Sequence, residues 1–274
     1  MRLFYAEVKS RQEINAGIFT VRLAGDGRFG DQFIPGQFVM VGIPEAVSHD
    51  PLLRRPFSVA RVFASEDEFE LAIKVVGRGT TILQHLRPGE LVPIHGPLGN
   101  GYPLDLLEPP GKVIMVAGGL GIASLLSLLD HCRQRGWPLE DLALVLGARS
   151  AAELVYVELL EDLARQGLRF LLATEDGSRG QQGLVTAPLT GLLAAWEAAE
   201  PLVFSCGPLP MLRAVCRLTA GRHCRTYLSL ESRMACGFGA CLGCVTRKKE
   251  DDGSGSWLKV CLDGPVFPAA MLPW

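Results

Sequence analysis

The spacing of apolar and polar residues changes twice along the chain. Up to about residue 100, short runs rich in Val, Ile and Phe recur at 4–9, 18–23, 37–43, 57–63 and 69–75. Turn formers separate them: Gly25-Asp26-Gly27, Pro35-Gly36, Pro44, Glu66-Asp67 and Pro88-Gly89. Many short strands at regular spacing predict a closed antiparallel barrel. Residues 80–86 fit one short helix. From about Gly111 the apolar runs become continuous, at 113–117, 142–146, 168–173 and 202–205. Between and after them lie segments of helical spacing, 122–132, 151–166, 187–198 and 209–220. Strands apolar on both faces, alternating with helices, predict a parallel α/β sheet. After about Gly221 the chain turns cysteine- and glycine-rich. The expected organisation is a barrel over 1–103, an α/β domain over 104–222 and a small module over 223–274. Pro109-Pro110-Gly111 is the expected hinge between the first two.

Composition narrows the class. With 274 residues, 48% of them hydrophobic and 20% charged, the chain suffices for two domains and a module. A net charge of −2 excludes the basic footprint of a nucleic-acid binder. Arg247-Lys248-Lys249 is balanced by Glu250-Asp251-Asp252, as at a solvated hairpin tip. The start of the chain has no signal-peptide pattern, and the longest apolar runs are strand-length, below the ~20 residues of a membrane span. The expected location is cytoplasmic, with no membrane partner. The eight cysteines then point to metal or redox chemistry rather than disulfides. Cys132 and Cys216 fall in helical patterns and read as small core residues.

The sharpest motif is Met234-Ala235-Cys236-Gly237-Phe238-Gly239-Ala240-Cys241-Leu242-Gly243-Cys244, with Cys261 following. Its C-x4-C-x2-C opening is the plant-type [2Fe–2S] spacing. Gly237, Gly239 and Gly243 let a tight loop turn and bring backbone N–H groups close to sulfur. A structural zinc site prefers paired C-x2-4-C knuckles, so the x4 spacing favours the cluster. The candidate metal ligands are Cys236, Cys241, Cys244 and Cys261. The gap before Cys261 is shorter than in plant-type ferredoxins.

The other motifs are individually weak. Arg54-Arg55-Pro56-Phe57-Ser58 opens a strand with groups suited to a phosphate and an aromatic ring, though such a run is also a common surface turn. Gly77-Arg78-Gly79-Thr80 follows a strand and opens a helix. His95–Gly101 is a third candidate, a glycine-rich stretch at the barrel's end, with a simple loop as the alternative. Val116–Ser124 joins strand to helix in a phosphate-cradle context, without the G-x-G-x-x-G fingerprint. Cys206-Gly207-Pro208 and Thr174-Glu175-Asp176 end strands at the edge where α/β ligands bind. Arg149 also follows a strand and is placed to meet a ribose or phosphate. No acid, base or nucleophile constellation is present, and the five histidines are scattered, so no catalytic residue is expected.

The order of these motifs resembles the ferredoxin reductase superfamily. The cysteine run narrows the resemblance to electron-transfer subunits of NAD-dependent class 1B dihydroorotate dehydrogenases, over the whole chain. The resemblance implies an FAD-binding barrel, an NAD(H)-binding α/β domain and a C-terminal [2Fe–2S] module. It implies FAD contacts at Arg55, Pro56, Phe57 and Ser58, then at Ala72, Ile73 and Lys74, then at Gly79 and Thr80. NAD contacts are expected at Gly118, Gly119, Gly121, Cys206 and Gly207. It also implies electron flow from NADH through FAD and the cluster to the FMN of a separate catalytic subunit, in a complex of two plus two. Two residues depart from the wider superfamily: Phe57 stands where Tyr is usual, and Ser124 where Pro often follows Gly-Ile-Ala. NADH over NADPH is expected from the resemblance alone. Three alternatives stay in view: a related reductase subunit for sulfide, sulfite or hydrogenase chemistry, a freestanding NAD(P)H:acceptor reductase, and a zinc-stabilised binding module.

Overall fold

The computed structural model describes residues 2–15, 17–44, 50–107, 111–249 and 256–274. The expected hinge at Pro109-Pro110 and the acidic half of the expected hairpin tip, Glu250–Asp252, lie outside the described residues.

The first part is a closed six-stranded antiparallel barrel. It comprises β1 (Arg2–Asn15), β2 (Ile18–Ala24), α1 (Phe29–Gln32), β3 (Phe38–Val41), β4 (Arg55–Phe63), β5 (Glu68–Lys74), α2 (Arg78–Leu83) and β6 (Leu91–Leu98), with the strands in the order β1-β2-β5-β4-β3-β6. The His95–Gly101 stretch is therefore not simply a loop. Its first residues finish β6, which closes the barrel against β1 and β3. Along β5 the side chains alternate, as a pleated strand requires. Phe69, Leu71 and Ile73 fill the barrel core, while Glu70, Ala72 and Lys74 face the α/β domain.

The second part comprises β7 (Val113–Gly118), α3 (Ile122–Gln134), β8 (Leu142–Ala148), α4 (Val157–Arg165), β9 (Arg169–Thr174), β10 (Gln181–Gln182), α5 (Thr186–Ala195), β11 (Leu202–Cys206), α6 (Leu209–Thr219) and β12 (Arg225–Ser229). The predicted 151–166 helix begins later, at Val157. It follows a 3-10 turn at Ala151–Glu153 and a left-handed Tyr156 (φ 61°). The strands run in the order β10-β9-β8-β7-β11-β12 and pair in parallel. Strand order reverses between β7 and β11, which makes their carboxyl ends a topological switch point. The two central strands are apolar throughout: Val113–Ala117 and Leu142–Leu146 are completely buried.

The third part holds the cysteine loop, the small hairpin of β13 (Val245–Arg247) and β14 (Trp257–Lys259), and β15 (Val266–Pro268). β15 returns to the main sheet and pairs antiparallel with β12, Ser229 opposite Val266. Among the described residues, no helix is long and apolar enough to cross a membrane.

Polar bonds stitch the barrel to the α/β domain. Arg61 Nε donates to Asp130 at 2.9 Å, and the Tyr156 hydroxyl donates to Glu70 at 2.9 Å. Tyr102 and Ser124 share a buried hydroxyl–hydroxyl bond of 2.9 Å. Ser124, where Pro often stands in the superfamily, thus finds its partner at the end of the barrel.

Candidate functional site

Two cavities open along the seam between these domains. The smaller, about 250 Å³, lies between the start of β4 and the switch point of the sheet. Pro56, Phe57 and Ser58 face it from β4, Ala72 from β5, and Leu120, Ala123 and Cys206 from the α/β domain. Its walls are mostly uncharged, with Ser58 and Ser229 as hydroxyl donors and the Phe57 ring on one side, which fits the ring of a flavin. Phe57 rests partly in the barrel core, so a ring at this position is held by packing without the hydroxyl of a Tyr. Beside it, the Arg55 guanidinium stands against Gly79: a Cβ on Gly79 would come within 2.8 Å of Arg55 Nε. Arg54 Nε is buried without an acceptor in the protein. Those donors fit a phosphate-bearing group. The Thr80 hydroxyl accepts from Val76 N at 2.9 Å and donates to the Gly77 carbonyl at 2.9 Å, fixing this loop.

The larger cavity, about 660 Å³, runs along the carboxyl ends of the parallel strands. Gly118, Gly119 and Leu120 follow β7, Arg149 follows β8, Glu175 follows β9, and Lys74 reaches in from β5. Leu120 and Glu231 line both cavities, so the two meet at the switch point. A chamber of this size at the strand ends suits a dinucleotide.

Ile73, Gly121 and Gly207, also expected at these cavities, line neither of them. Ile73 points into the barrel core and is 1% exposed. Gly121 lies against the end of β11, where a Cβ would come within 2.1 Å of the Cys206 carbonyl oxygen. A Cβ on Gly207 would come within 2.9 Å of the Gly118 backbone nitrogen. These two glycines allow the two strand ends at the switch point to touch.

Cys206 is fully enclosed; burial, reinforced by the Glu231 charge, pushes its pKa to about 12. It is a neutral thiol at physiological pH, not a nucleophile. Glu231 has its own pKa raised by desolvation. The sequence motif 116–124 includes Leu120 without assigning it a contact, and Glu231 lies outside every motif. The signal available was position, since Glu231 stands two residues beyond β12 at the ligand-binding edge.

Met234, on the wall of the smaller cavity, leads directly into the cysteine loop. The loop is pressed onto the barrel. Gly237 (φ +83°) lies so close to Met40 that a Cβ would be 2.5 Å from its Cγ, and Phe238 meets the His95 ring edge-on. Cys244 and Cys261 are buried, Cys236 is half-buried and Cys241 is exposed. The thiols of Cys236 and Cys241 interact with each other, as do those of Cys244 and Cys261. Desolvation opposes ionisation of Cys236, but backbone N–H groups of Phe238, Cys241 and Ala240 outweigh it and bring the pKa to about 6. Two thiol pairs joined by an N–H-rich loop suit two irons better than one zinc. Among the described residues, no three ligating side chains converge on a single ion position.

Comparison with known proteins agrees with this geometry. Residues 6–102 match an oxidoreductase FAD-binding domain, and 115–217 an oxidoreductase NAD-binding domain. Residues 231–272 match the iron-sulfur cluster binding domain of dihydroorotate dehydrogenase B. The solved structure of an NADH-dependent reduced ferredoxin-NADP oxidoreductase superposes with a TM-score of 0.81 at 26% identity, covering 99% of this chain and 90% of that one. A ferredoxin NADP+ reductase from Neisseria gonorrhoeae shares the fold (TM-score 0.66, 17% identity, 80% of this chain and 90% of that one). The dihydroorotate dehydrogenase B (NAD(+)) electron transfer subunit of Bacillus velezensis is 36% identical over 269 residues, 98% of either chain. Its Geobacillus counterpart is 38% identical over 235 residues, 86% of this chain and 85% of that one. With all three parts of the fold matched and the likeness running almost end to end, the chain belongs to the family of dihydroorotate dehydrogenase B electron transfer subunits.

Proposed function

We propose that this chain carries electrons between NAD(H) and the FMN of a dihydroorotate dehydrogenase catalytic subunit, using FAD and a [2Fe–2S] cluster, in cytoplasmic pyrimidine biosynthesis. The observation that carries the reading is spatial order. The larger cavity shares Leu120 and Glu231 with the smaller one, and the smaller shares Met234 with the cysteine loop, whose Cys241 reaches the surface. When bound, the flavin supplies the exchange between a two-electron hydride and the single electrons an iron–sulfur cluster accepts.

The protein's part is to position and to insulate. Arg55, Gly79 and Thr80 form the phosphate rim, while Pro56, Phe57, Ser58 and Ala72 wall the ring site. Gly118 and Gly119 border the dinucleotide chamber. Cys206, a buried thiol, lines the ring site rather than the dinucleotide chamber. Cys236 and Cys241 form one pair of cluster ligands and Cys244 and Cys261 the other.

In the module that carries Cys241, Phe238, Leu242, Val245, Trp257 and Leu262 are all exposed. This is the proposed face for the catalytic subunit, in an assembly of two copies of each chain. The test is anaerobic co-purification with such a subunit, measuring iron, sulfide, FAD and NADH-dependent orotate reduction. About two iron per copy together with FAD and turnover is the expected result. Cluster and FAD without a complex or turnover would move the acceptor to sulfur or hydrogen enzymes.

A further inference from the structure

The larger cavity carries five charged side chains: Lys74 and Arg149, against Glu153, Glu175 and Glu231. Both cations are bound to one carboxylate. Lys74 Nζ donates to Glu153 Oε1 at 2.9 Å. Arg149 grips the same carboxylate with two nitrogens, Nε donating to Oε2 at 3.1 Å and Nη2 to Oε1. Arg149 and Lys74 hold the Glu153 pKa down to about 2, so it is charged throughout the physiological range. Helical spacing over 151–166 gives Glu153 no part in the site.

The position of this cluster along the cavity matters. The nicotinamide must approach the flavin, so it belongs where Leu120 and Glu231 join the two cavities. Arg149 and Glu175 follow β8 and β9, which lie on the side of β7 away from β11. They therefore flank the opposite, adenosine end. That end distinguishes NADPH from NADH by a 2′-phosphate. A phosphate monoester adds about −1.5 to −2 charges near neutral pH and is best held by the planar fork of an arginine. The fork of Arg149 is the one suited to it, and a carboxylate already occupies it in the same bidentate geometry.

We propose that Glu153 is a positioning residue that sets dinucleotide choice: by engaging Arg149 and Lys74 it withholds the cavity's cations from a 2′-phosphate, and so favours NAD(H). Glu175 reinforces this by adding negative charge beside Arg149. The proposal rests on assigning the larger cavity to the dinucleotide.

The experiment uses the full FAD-loaded chain and calorimetric binding of AMP, 2′-phospho-AMP and ADP. Glu153→Gln should raise the ratio of 2′-phospho-AMP to AMP affinity about tenfold or more, the scale of a charged hydrogen bond. The NADPH-to-NADH ratio of kcat/KM, with ferricyanide as acceptor, should rise in parallel through KM. The Arg149→Ala/Glu153→Gln double variant should lose the gain, and Glu153→Asp should keep the parental ratio. An unchanged ratio in Glu153→Gln overturns the proposal. So does a gain that survives loss of Arg149, or one shared equally by ADP, which would place the cations on the pyrophosphate. If AMP fails to compete with NADH for the parental chain, the cavity assignment falls and the proposal with it.

Discussion

Val116 in the parallel sheet and Cys244 in the cysteine loop are both buried and belong to one apolar cluster, yet they are held differently. Val116 lies between Val145 and Ser205 on neighbouring strands, fixed by a hydrogen-bonded ladder on each side and by helices above and below. Cys244 sits in a loop without helix or strand from Glu231 to Cys244. Its own bonds are to the returning turn, where Cys261 N donates to its Sγ at 3.4 Å and Val260 N to its carbonyl at 3.0 Å, and the apolar cluster it joins draws in Phe38, Met40 and Leu98 from the barrel. The sheet's shape is thus over-determined by its own residues, while the loop takes its shape from anchors and from the thiols themselves. Rigidity of the first kind suits a ligand platform. The second kind lets a cluster sit at the surface, where an electron can leave.

The hardest test of this contrast removes one thiol. Cys241→Ala should abolish the cluster's visible absorption and orotate turnover while the sheet still unfolds at its parental denaturant midpoint. A large drop in that midpoint would mean that the cluster supports the whole fold. Next in size, Leu144→Ala in β8 should cost about 2–5 kcal/mol in urea unfolding, because the completely buried site cannot collapse. Phe238→Ala in the loop, 42% exposed, should cost far less. Equal costs would erase the distinction.

A smaller effect is expected at the loop's anchor. Asn100 Nδ2 donates to the carbonyls of Leu262 at 3.0 Å and Asp263 at 3.2 Å. Asn100→Ala should cost about 1 kcal/mol and speed amide exchange around 257–263, leaving β7 and β8 unchanged. The smallest concerns the seam. Because the Glu153 pKa falls from its ordinary 4.5 to about 2, its ion pairs stabilise the folded chain above pH 4.5. That contribution fades as pH drops toward 2. Glu153→Gln should flatten the pH dependence of the unfolding midpoint in this window, and an unchanged slope would show that the seam carries no such linkage.

Much of the platform was legible in the sequence because burial on both faces leaves unbroken apolar runs, as at 113–117 and 142–146. β6 was not, because Pro93, Gly96 and Pro97 break its pattern, while its pairing with β1 is decided by residues some ninety positions away. The cysteines were legible from spacing, since ligation to a small cluster restricts chain length directly. Glu231 and Glu153 belong to no motif, and Leu120 lies unassigned inside one. They matter through where the switch point and the barrel bring them, and ordinary strand-end and helix patterns conceal that. β15 was likewise unannounced, three residues whose role comes only from an available sheet edge.

That returning strand has a consequence for the loop it closes. Ser229 and Val266 sit opposite each other, so everything from 230 to 265 leaves the sheet and re-enters it at the same rung. The excursion is one very long hairpin connection, and the entropy of closing such a connection grows only with the logarithm of its length. Changes of length that leave the four cysteine spacings and their anchors intact are therefore cheap for the rest of the fold. Evolution can lengthen, reshape or re-aim the electron exit while the two cofactor chambers behind it stay as they are.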